Sequence, residues 1–108
     1  MMILAVEDDA VARAVLRKAL RRLGHEVVEA ANGEEAWERL HTEPVRVVVS
    51  DWMMPRADGL ELCRRIRAHR ARPYTYFLLE TIRNGSASYL EAMAAGVDDF
   101  ISKPIVPA

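Results

Sequence analysis

Acidic side chains stand directly behind two apolar segments of this sequence. Residues 3–6 run into Glu7 and Asp8, and the valine-rich residues 45–50 run into Asp51. If both segments are buried parallel strands, their carboxyl ends meet at one rim of the sheet, where α/β proteins hold ligands. Crowded carboxylates repel one another, and a bound cation relieves that repulsion. Because these side chains offer only oxygen, they favour a hard ion such as Mg²⁺ or Mn²⁺.

Two further polar residues close apolar segments in the same way. Thr81 ends the segment 74–81, and Lys103 follows the segment 97–102. A carboxylate such as Asp51 can act as a nucleophile. A lysine ammonium and a metal ion can together neutralise the charge on a transferred phosphoryl group. The pattern therefore predicts a cation-assisted phosphoryl site.

Composition limits the class of protein. The 108 residues are 51% apolar and carry a formal net charge of −1, which indicates one small domain without a general attraction for nucleic acid or anionic lipid. Cys63 is the single cysteine, so we expect neither a disulfide framework nor a cysteine metal site. No apolar stretch has the length of a signal-peptide core or a membrane span. A cytoplasmic location is expected.

Apolar segments with strand character alternate with segments of helical period. The predicted strands are Met2–Val6, Glu26–Ala30, Val45–Ser50, Tyr74–Thr81 and Val97–Ser102. Strands separated by helices pair in parallel through right-handed crossovers, so the predicted fold class is α/β, with a five-stranded parallel sheet and helices on both faces. Because only residues 103–108 follow the fifth strand, we expect the fifth helix to be absent and one sheet face to be covered by a single helix.

Local signals mark where the helices begin, where they end and which side faces inward. Asp9, Asn32 and Asp58 are predicted N-caps, and the last two each stand three residues before a glutamate. Gly24 and Gly96 are predicted stops. The predicted inner faces are Ala12, Val15, Leu16, Ala19, Leu20 and Leu23 in the first helix, Gly59, Leu62, Cys63 and Ile66 in the third, and Leu90, Met93, Ala94 and Val97 around the fourth.

Other polar residues are assigned ordinary structural roles. Asp98 and Asp99 are expected to be turn or surface carboxylates. The arginines between residues 64 and 72 are expected to form a solvated helix end. The three histidines fall on different elements, so no catalytic role is assigned to them.

The complete pattern resembles the receiver domain of two-component response regulators. The resemblance is carried by the acidic residues 7–9, by Asp51 with Met54-Pro55 and Asp58-Gly59, by Thr81, and by Lys103-Pro104. It covers essentially the whole chain, read as one domain over residues 1–108 that is truncated after the fifth strand. The fold it implies is the flavodoxin-like, doubly wound sheet with strand order 2-1-3-4-5, the order known for chemotaxis receivers of this family.

The resemblance also implies a role for each site residue. Asp8 and Asp51 would ligate Mg²⁺ (or Mn²⁺) directly, the Met53 carbonyl would add a third protein ligand, and Glu7 would act through water. Asp51 would accept a phosphoryl group from a phosphohistidine, with charge neutralised by Lys103. As implied by the family, Thr81 would bind a phosphoryl oxygen, and Phe100 would turn toward the space that Thr81 leaves.

The implied partners follow from this role. They are a sensor histidine kinase or a histidine phosphotransfer protein, and the output surface would be the fourth helix and the fifth strand. A homodimer through the uncovered sheet face or through helix 4 and strand 5 is also expected. No membrane contact and no direct nucleic-acid binding by this domain are expected.

Three departures from the family pattern keep a second interpretation open, and one of them is the expected absence of the fifth helix. Ile82 stands where the family has a small residue, which predicts slow phosphorylation by small donors such as acetyl phosphate. Glu80 stands where the family has an aliphatic residue, and we expect it to be neutral, paired with an arginine, or exposed. The alternative is a degenerate receiver that acts as a phosphorylation-independent docking or dimerisation module.

Two other classes fit poorly. An aspartate-nucleophile phosphatase needs an acid two residues after the nucleophile, where this chain has Met53. A flavodoxin-like mononucleotide binder needs a loop that cradles phosphate after the first strand, and the acidic residues 7–9 would repel phosphate there.

Overall fold

A computed structural model describes residues 1–52, 58–69, 73–81 and 86–102, with the backbone alone for residues 86–88. These residues form nine alternating strands and helices. In chain order they are β1 Met2–Val6, α1 Ala10–Arg22, β2 Glu26–Ala30, α2 Gly33–Thr42, β3 Val47–Asp51, α3 Gly59–Ala68, β4 Tyr76–Thr81, α4 Ser86–Ala95 and β5 Asp99–Ser102.

The five strands form one parallel sheet in the order β2-β1-β3-β4-β5. The α/β class, the parallel pairing and the flavodoxin-like strand order are therefore confirmed. Since β1 lies between β2 and β3, the chain ends of β1 and β3 come out side by side at one rim. The described part of the chain holds four helices, and none of them is long and apolar enough to cross a membrane. The expectation about a fifth helix concerns residues 103–108, which lie outside the described ranges.

The predicted helix caps are confirmed. Side-chain oxygens of Asp9, Asn32 and Asp58 each accept a hydrogen bond from the backbone N–H three residues later. These bonds satisfy donors that the first helical turn leaves without a partner. Gly24 and Gly96 follow α1 and α4 with φ values of +91° and +96°, the left-handed conformation that glycine adopts without steric cost.

The core lies on both faces of the sheet. On one face Leu4, Val48 and Phe77 pack against helices α2, α3 and α4. On the other face the described contacts involve one helix, α1, whose Leu16 packs on Ala5 and Val49. The single-helix cover expected for one face is thus what the described residues show. Cys63 is fully buried on the sheet face that α2, α3 and α4 cover, as its apolar neighbours predicted.

The ends of three strands differ from the predictions. β3 begins at Val47 rather than Val45 and includes Asp51 as its last residue. β4 begins at Tyr76 rather than Tyr74. β5 begins at Asp99 because the N–H of Val97 is used to close the end of α4, where it donates to the Ala92 carbonyl at 3.2 Å.

Two predicted helix faces are partly wrong. On α1, Val15 and Leu23 are exposed, Leu16 is buried, and Leu20 is partly buried beside it. On α4, Leu90 and Met93 are 69% and 58% exposed, and the inner face is made by Ala92 and Ala95. Alanine lets the helix approach the sheet closely, whereas apolar periodicity gave most weight to the larger side chains.

Asp98 lies in the connection between α4 and β5, which agrees with a turn position, but it is half-buried and not a surface carboxylate. It accepts hydrogen bonds from the Arg67 guanidinium at 2.8 Å and from the Phe77 N–H at 2.7 Å. Arg67 also donates to the carbonyls of Thr75 and Gly96. This network ties α3 and the end of α4 to the sheet, and its carboxylate satisfies a backbone donor that would otherwise be buried without a partner. Asp99 is exposed, as expected.

Candidate functional site

Three carboxylates converge where β1 and β3 end. Oxygen atoms of Glu7, Asp8 and Asp51 all lie within 4.8 Å of one another. Glu7 and Asp51 are only 2% and 8% exposed, whereas Asp8 is open to solvent. The strand order produces this cluster, because neighbouring parallel strands deliver the residues that follow them to the same rim.

The loop that carries two of these carboxylates is held by several hydrogen bonds. The Glu7 N–H donates to the Ala30 carbonyl on β2 at 3.0 Å, and a Glu7 carboxylate oxygen accepts from the Asp9 N–H at 3.2 Å. Arg13 Nη1 donates to the Glu7 carbonyl at 2.9 Å. Asp9 itself caps α1. The backbone between β1 and α1 is therefore constrained from both sides.

Gly59 brings the start of α3 against the backbone of Asp51. A Cβ atom at this position would collide with the Asp51 carbonyl oxygen and would lie 2.9 Å from Leu79 Cδ1. The Gly59 N–H also donates to the Trp52 carbonyl at 2.9 Å. Only glycine fits this approach, which gives the Asp58-Gly59 pair a physical meaning: Asp58 caps the helix and Gly59 lets it dock beside Asp51.

The cluster suits a hard divalent cation. Its three side chains offer oxygen ligands, the combination that Mg²⁺ and Mn²⁺ prefer. One carboxylate is exposed, so an ion there would keep part of its water shell, as Mg²⁺ usually does. Met53, Ile82 and Lys103, which the sequence also placed at the site, lie outside the described residues.

The predicted switch residues lie on neighbouring strands. Thr81 is the last residue of β4 and is 6% exposed. Phe100 pairs with Leu79 in the register of β4 and β5, and its ring meets Tyr89 of α4 edge to face, with centroids 4.7 Å apart. Phe100 therefore links β5, the strand next to Thr81 in the sheet, to α4.

Glu80 is buried and stands beside Asp51 in the sheet register. It is 5% exposed, so exposure to solvent does not account for its charge. The remaining expectations, a neutral or a paired carboxyl group, stay predictions. Two buried acidic residues therefore stand side by side on adjacent strands at this rim.

Sequence reasoning missed two groupings. Arg13 is not among the residues predicted to face inward on the first helix, but its guanidinium reaches back to the backbone of Glu7. His41 and His69 were treated as scattered, but their rings lie 5.6 Å apart beside Trp37. The position of Arg13, one turn after the N-cap, was the available signal for the first grouping, whereas the second depends on how α2 packs on α3.

Comparison with known proteins identifies the class. The family model of the response regulator receiver domain matches residues 3–108, and the chain therefore belongs to this family. It is 38% identical to the chemotaxis protein CheY homolog of Campylobacter jejuni over 109 residues, which is 99% of this chain and 84% of that protein. It is 37% identical to the transcriptional regulatory protein ResD of Bacillus subtilis over 105 residues, covering 97% of this chain and 42% of ResD.

A solved structure agrees with the sequence comparison. The chemotaxis protein CheY4 of Vibrio cholerae superposes with a TM-score of 0.91 at 29% identity, covering 98% of this chain and 88% of that one. The resemblance on which the sequence analysis relied is thereby confirmed, and the chain is a receiver domain of the kind used in two-component signalling.

Proposed function

We propose that this receiver domain accepts a phosphoryl group on Asp51 from the phosphohistidine of a sensor kinase or phosphotransfer protein. The observation that carries the proposal is the convergence of Glu7, Asp8 and Asp51 within 4.8 Å. Two of the three carboxylates are buried. Carboxylates this close together attract a divalent cation, which would leave an aspartate oxygen free to react.

The proposed step is one displacement at phosphorus. A carboxylate oxygen of Asp51 forms a bond to phosphorus while the bond between phosphorus and the donor imidazole nitrogen breaks, and the imidazole leaves with the electron pair. Asp8, Asp51 and the Met53 carbonyl would hold Mg²⁺ or Mn²⁺, with Glu7 acting through water. When bound, the ion neutralises charge on the phosphoryl oxygens.

Two further residues complete the proposal. Lys103 contributes a second positive charge to the phosphoryl oxygens. Thr81 donates its hydroxyl hydrogen to one of them and moves the end of β4 inward. Phe100 then changes rotamer, and α4 with β5 becomes the altered output surface. Hydrolysis of the aspartyl phosphate by water returns the domain to its resting state, so the protein is a switch rather than an enzyme with an outside substrate.

The partners and the location are also part of this proposal. Receiver domains interact with histidine kinases or phosphotransfer proteins, and we assign the same type of donor to this chain. The location we propose is the cytoplasm, where such donors present their phosphohistidine.

The buried Glu80 favours one alternative. Its carboxyl group lies on the strand next to Asp51 and is 5% exposed. If this carboxyl group is ionised, its charge beside the acceptor would oppose the approach of phosphate. The alternative is a degenerate receiver that binds its partner without phosphorylation.

Beryllofluoride titration with Mg²⁺ separates the two functions. Trp52 is 3% exposed and adjoins Asp51, so its fluorescence reports the site. The substitution Trp37→Phe leaves Trp52 as the single tryptophan of the chain. We expect a saturable fluorescence change that requires both Mg²⁺ and beryllofluoride and disappears in Asp51→Asn. No change in the protein with Asp51 intact would reject phosphoryl acceptance and favour the docking module.

A further inference from the structure

Arg13 connects α1 and β2 to the backbone of the acid cluster. Its Nη1 donates to the Glu7 carbonyl at 2.9 Å, and its Nε lies 3.4 Å from Oε1 of Glu29 on β2. The side chain is 23% exposed. A planar guanidinium can bind two groups in fixed directions, which an ammonium cannot.

The carbonyl that Arg13 binds belongs to the peptide between Glu7 and Asp8. Displacement of this peptide moves the two Cα atoms that flank it, and the side chains of Glu7 and Asp8 move with them. The opposite side of the loop is already held by the Glu7 N–H on Ala30. Arg13 therefore completes the restraint on the segment that supplies two of the three carboxylates.

Arg17 offers an internal comparison. It lies one turn later on α1, is 28% exposed, and pairs with the same Glu29 at 3.2 Å. The hydrogen bonds described for Arg17 reach Glu29 and not the acid loop. The two arginines thus carry the same charge, lie on the same helix and pair with the same glutamate. They differ in that Arg13 alone is described with a bond to the Glu7 carbonyl.

We infer that Arg13 is a positioning residue for the cation site, an inference that rests on the function proposed above. Two effects oppose each other. Its positive charge repels a divalent ion, whereas its hydrogen bond keeps the Glu7 and Asp8 carboxylates in place before the ion arrives. Partners that orient metal ligands commonly change metal affinity by about 10- to 100-fold. The charge effect is screened because the side chain is partly exposed and Glu29 lies beside it.

Mg²⁺ titration by calorimetry tests this inference with Arg13→Met and Arg17→Met. Each variant removes one charge and one ion pair with Glu29, but only Arg13→Met removes the bond to the loop. We expect Mg²⁺ to bind about 10-fold more weakly to Arg13→Met than to Arg17→Met. The free energy of unfolding without Mg²⁺ serves as the structural readout, and we expect Arg13→Met to lose only the contribution of one more hydrogen bond than Arg17→Met.

A third variant, Arg13→Lys, keeps the charge and supports the test if Arg13→Met does not fold. A lysine ammonium cannot reach the Glu7 carbonyl and Glu29 together. The Mg²⁺ affinity of Arg13→Lys should therefore fall between those of wild type and Arg13→Met. If Arg13→Met does not fold, the affinity of Arg13→Lys is compared with wild type alone and should be lower. Equal affinities in Arg13→Met and Arg17→Met, tighter binding by Arg13→Met, or wild-type affinity in Arg13→Lys would overturn the inference. Absence of Mg²⁺ binding by the wild-type protein would instead reject the proposed function and, with it, this role.

Discussion

The residue that most directly shapes the acid site without contributing a carboxylate is Gly59. It sits where the first turn of α3 meets the backbone of Asp51, and a side chain would collide with the Asp51 carbonyl. Backbone atoms cannot turn aside as a flexible side chain can. Either α3 or the end of β3 must shift when Gly59 is replaced.

Gly59→Ala is therefore expected to affect both stability and the site. Overpacking of this kind costs about 1–3 kcal/mol of unfolding free energy. Displacement of Asp51 should also weaken Mg²⁺ binding by about 10-fold, the size seen when groups that orient metal ligands are removed. Urea unfolding and calorimetric Mg²⁺ titration measure the two effects.

Gly24→Ala is the matched control for this prediction. Gly24 has φ +91° and open space around it, so alanine there costs backbone strain without a clash. We expect lower stability and unchanged Mg²⁺ affinity. Equal loss of Mg²⁺ affinity in the two variants would show that general destabilisation, and not the contact with Asp51, is responsible.

Cys63 provides a second test on a single residue. Burial raises the pKa of its thiol to about 11, with a smaller opposing effect from Arg67. At pH 8 the thiolate, which is the reactive form, is about 0.1% of the total for such a pKa. We expect the folded protein not to react within minutes with a disulfide reagent such as dithiobis(nitrobenzoate). After unfolding in urea, we expect one equivalent of thionitrobenzoate to be released per chain. Prompt reaction of the folded protein would contradict the buried position.

Among the elements, β5 and α4 are linked by an aromatic contact. The Phe100 ring meets Tyr89 at 4.7 Å, and Tyr89 is 37% exposed. Edge-to-face pairs of this kind contribute about 0.5–1.5 kcal/mol beyond the area they bury. If Phe100 changes rotamer on phosphorylation, as proposed, it must leave this contact. Tyr89 then stabilises the resting arrangement.

Tyr89→Leu should accordingly shift the switch toward its activated form. Loss of about 0.5–1.5 kcal/mol from the resting state corresponds to roughly 2- to 13-fold tighter apparent binding of beryllofluoride with Mg²⁺. Trp52 fluorescence in the Trp37→Phe background measures it. Leu90→Ala on the same helix, which removes an exposed side chain, should leave the affinity unchanged. Weaker binding by Tyr89→Leu would mean that the ring contact belongs to the activated state.

For the whole molecule, the distribution of exposed apolar residues predicts self-association. Leu90 and Met93 are 69% and 58% exposed on α4, next to β5. The sheet face under α1 is better covered, since Val47, Leu78 and Ile101 are partly buried there. Of the two dimer surfaces considered from the sequence, the structure therefore favours α4 with β5, because neighbouring exposed apolar side chains gain most from burial.

Light scattering at high protein concentration measures this directly. We expect a mass above that of the monomer for the wild-type protein and a monomer mass for Leu90→Lys with Met93→Lys. Leu23→Lys replaces an equally exposed leucine at the end of α1 and should leave the mass unchanged. A monomer at every concentration, or dissociation by Leu23→Lys alone, would exclude α4 as the contact.

Local sequence information was sufficient for the parallel sheet, the helix caps and the acidic residues at the strand ends, whereas the strand order came from the resemblance to receiver domains. Asp9, Asn32 and Asp58 bind donors three residues away, and Glu7, Asp8 and Asp51 stand at the ends of strands whose parallel direction the alternation of elements implied. In each case the relevant partner is close in sequence or is delivered by the general rule that parallel strands end at one rim.

Contacts between distant side chains were beyond that information. The bond from Arg13 to the Glu7 carbonyl, the pairing of Arg67 with Asp98 across 31 positions, and the inward turn of Ala92 instead of Leu90 all depend on how helices settle on the sheet. Long charged side chains can reach in several directions from a helix, and small residues turn inward only where another element comes close. These choices are made by packing in three dimensions, which hydrophobic periodicity along one helix does not contain.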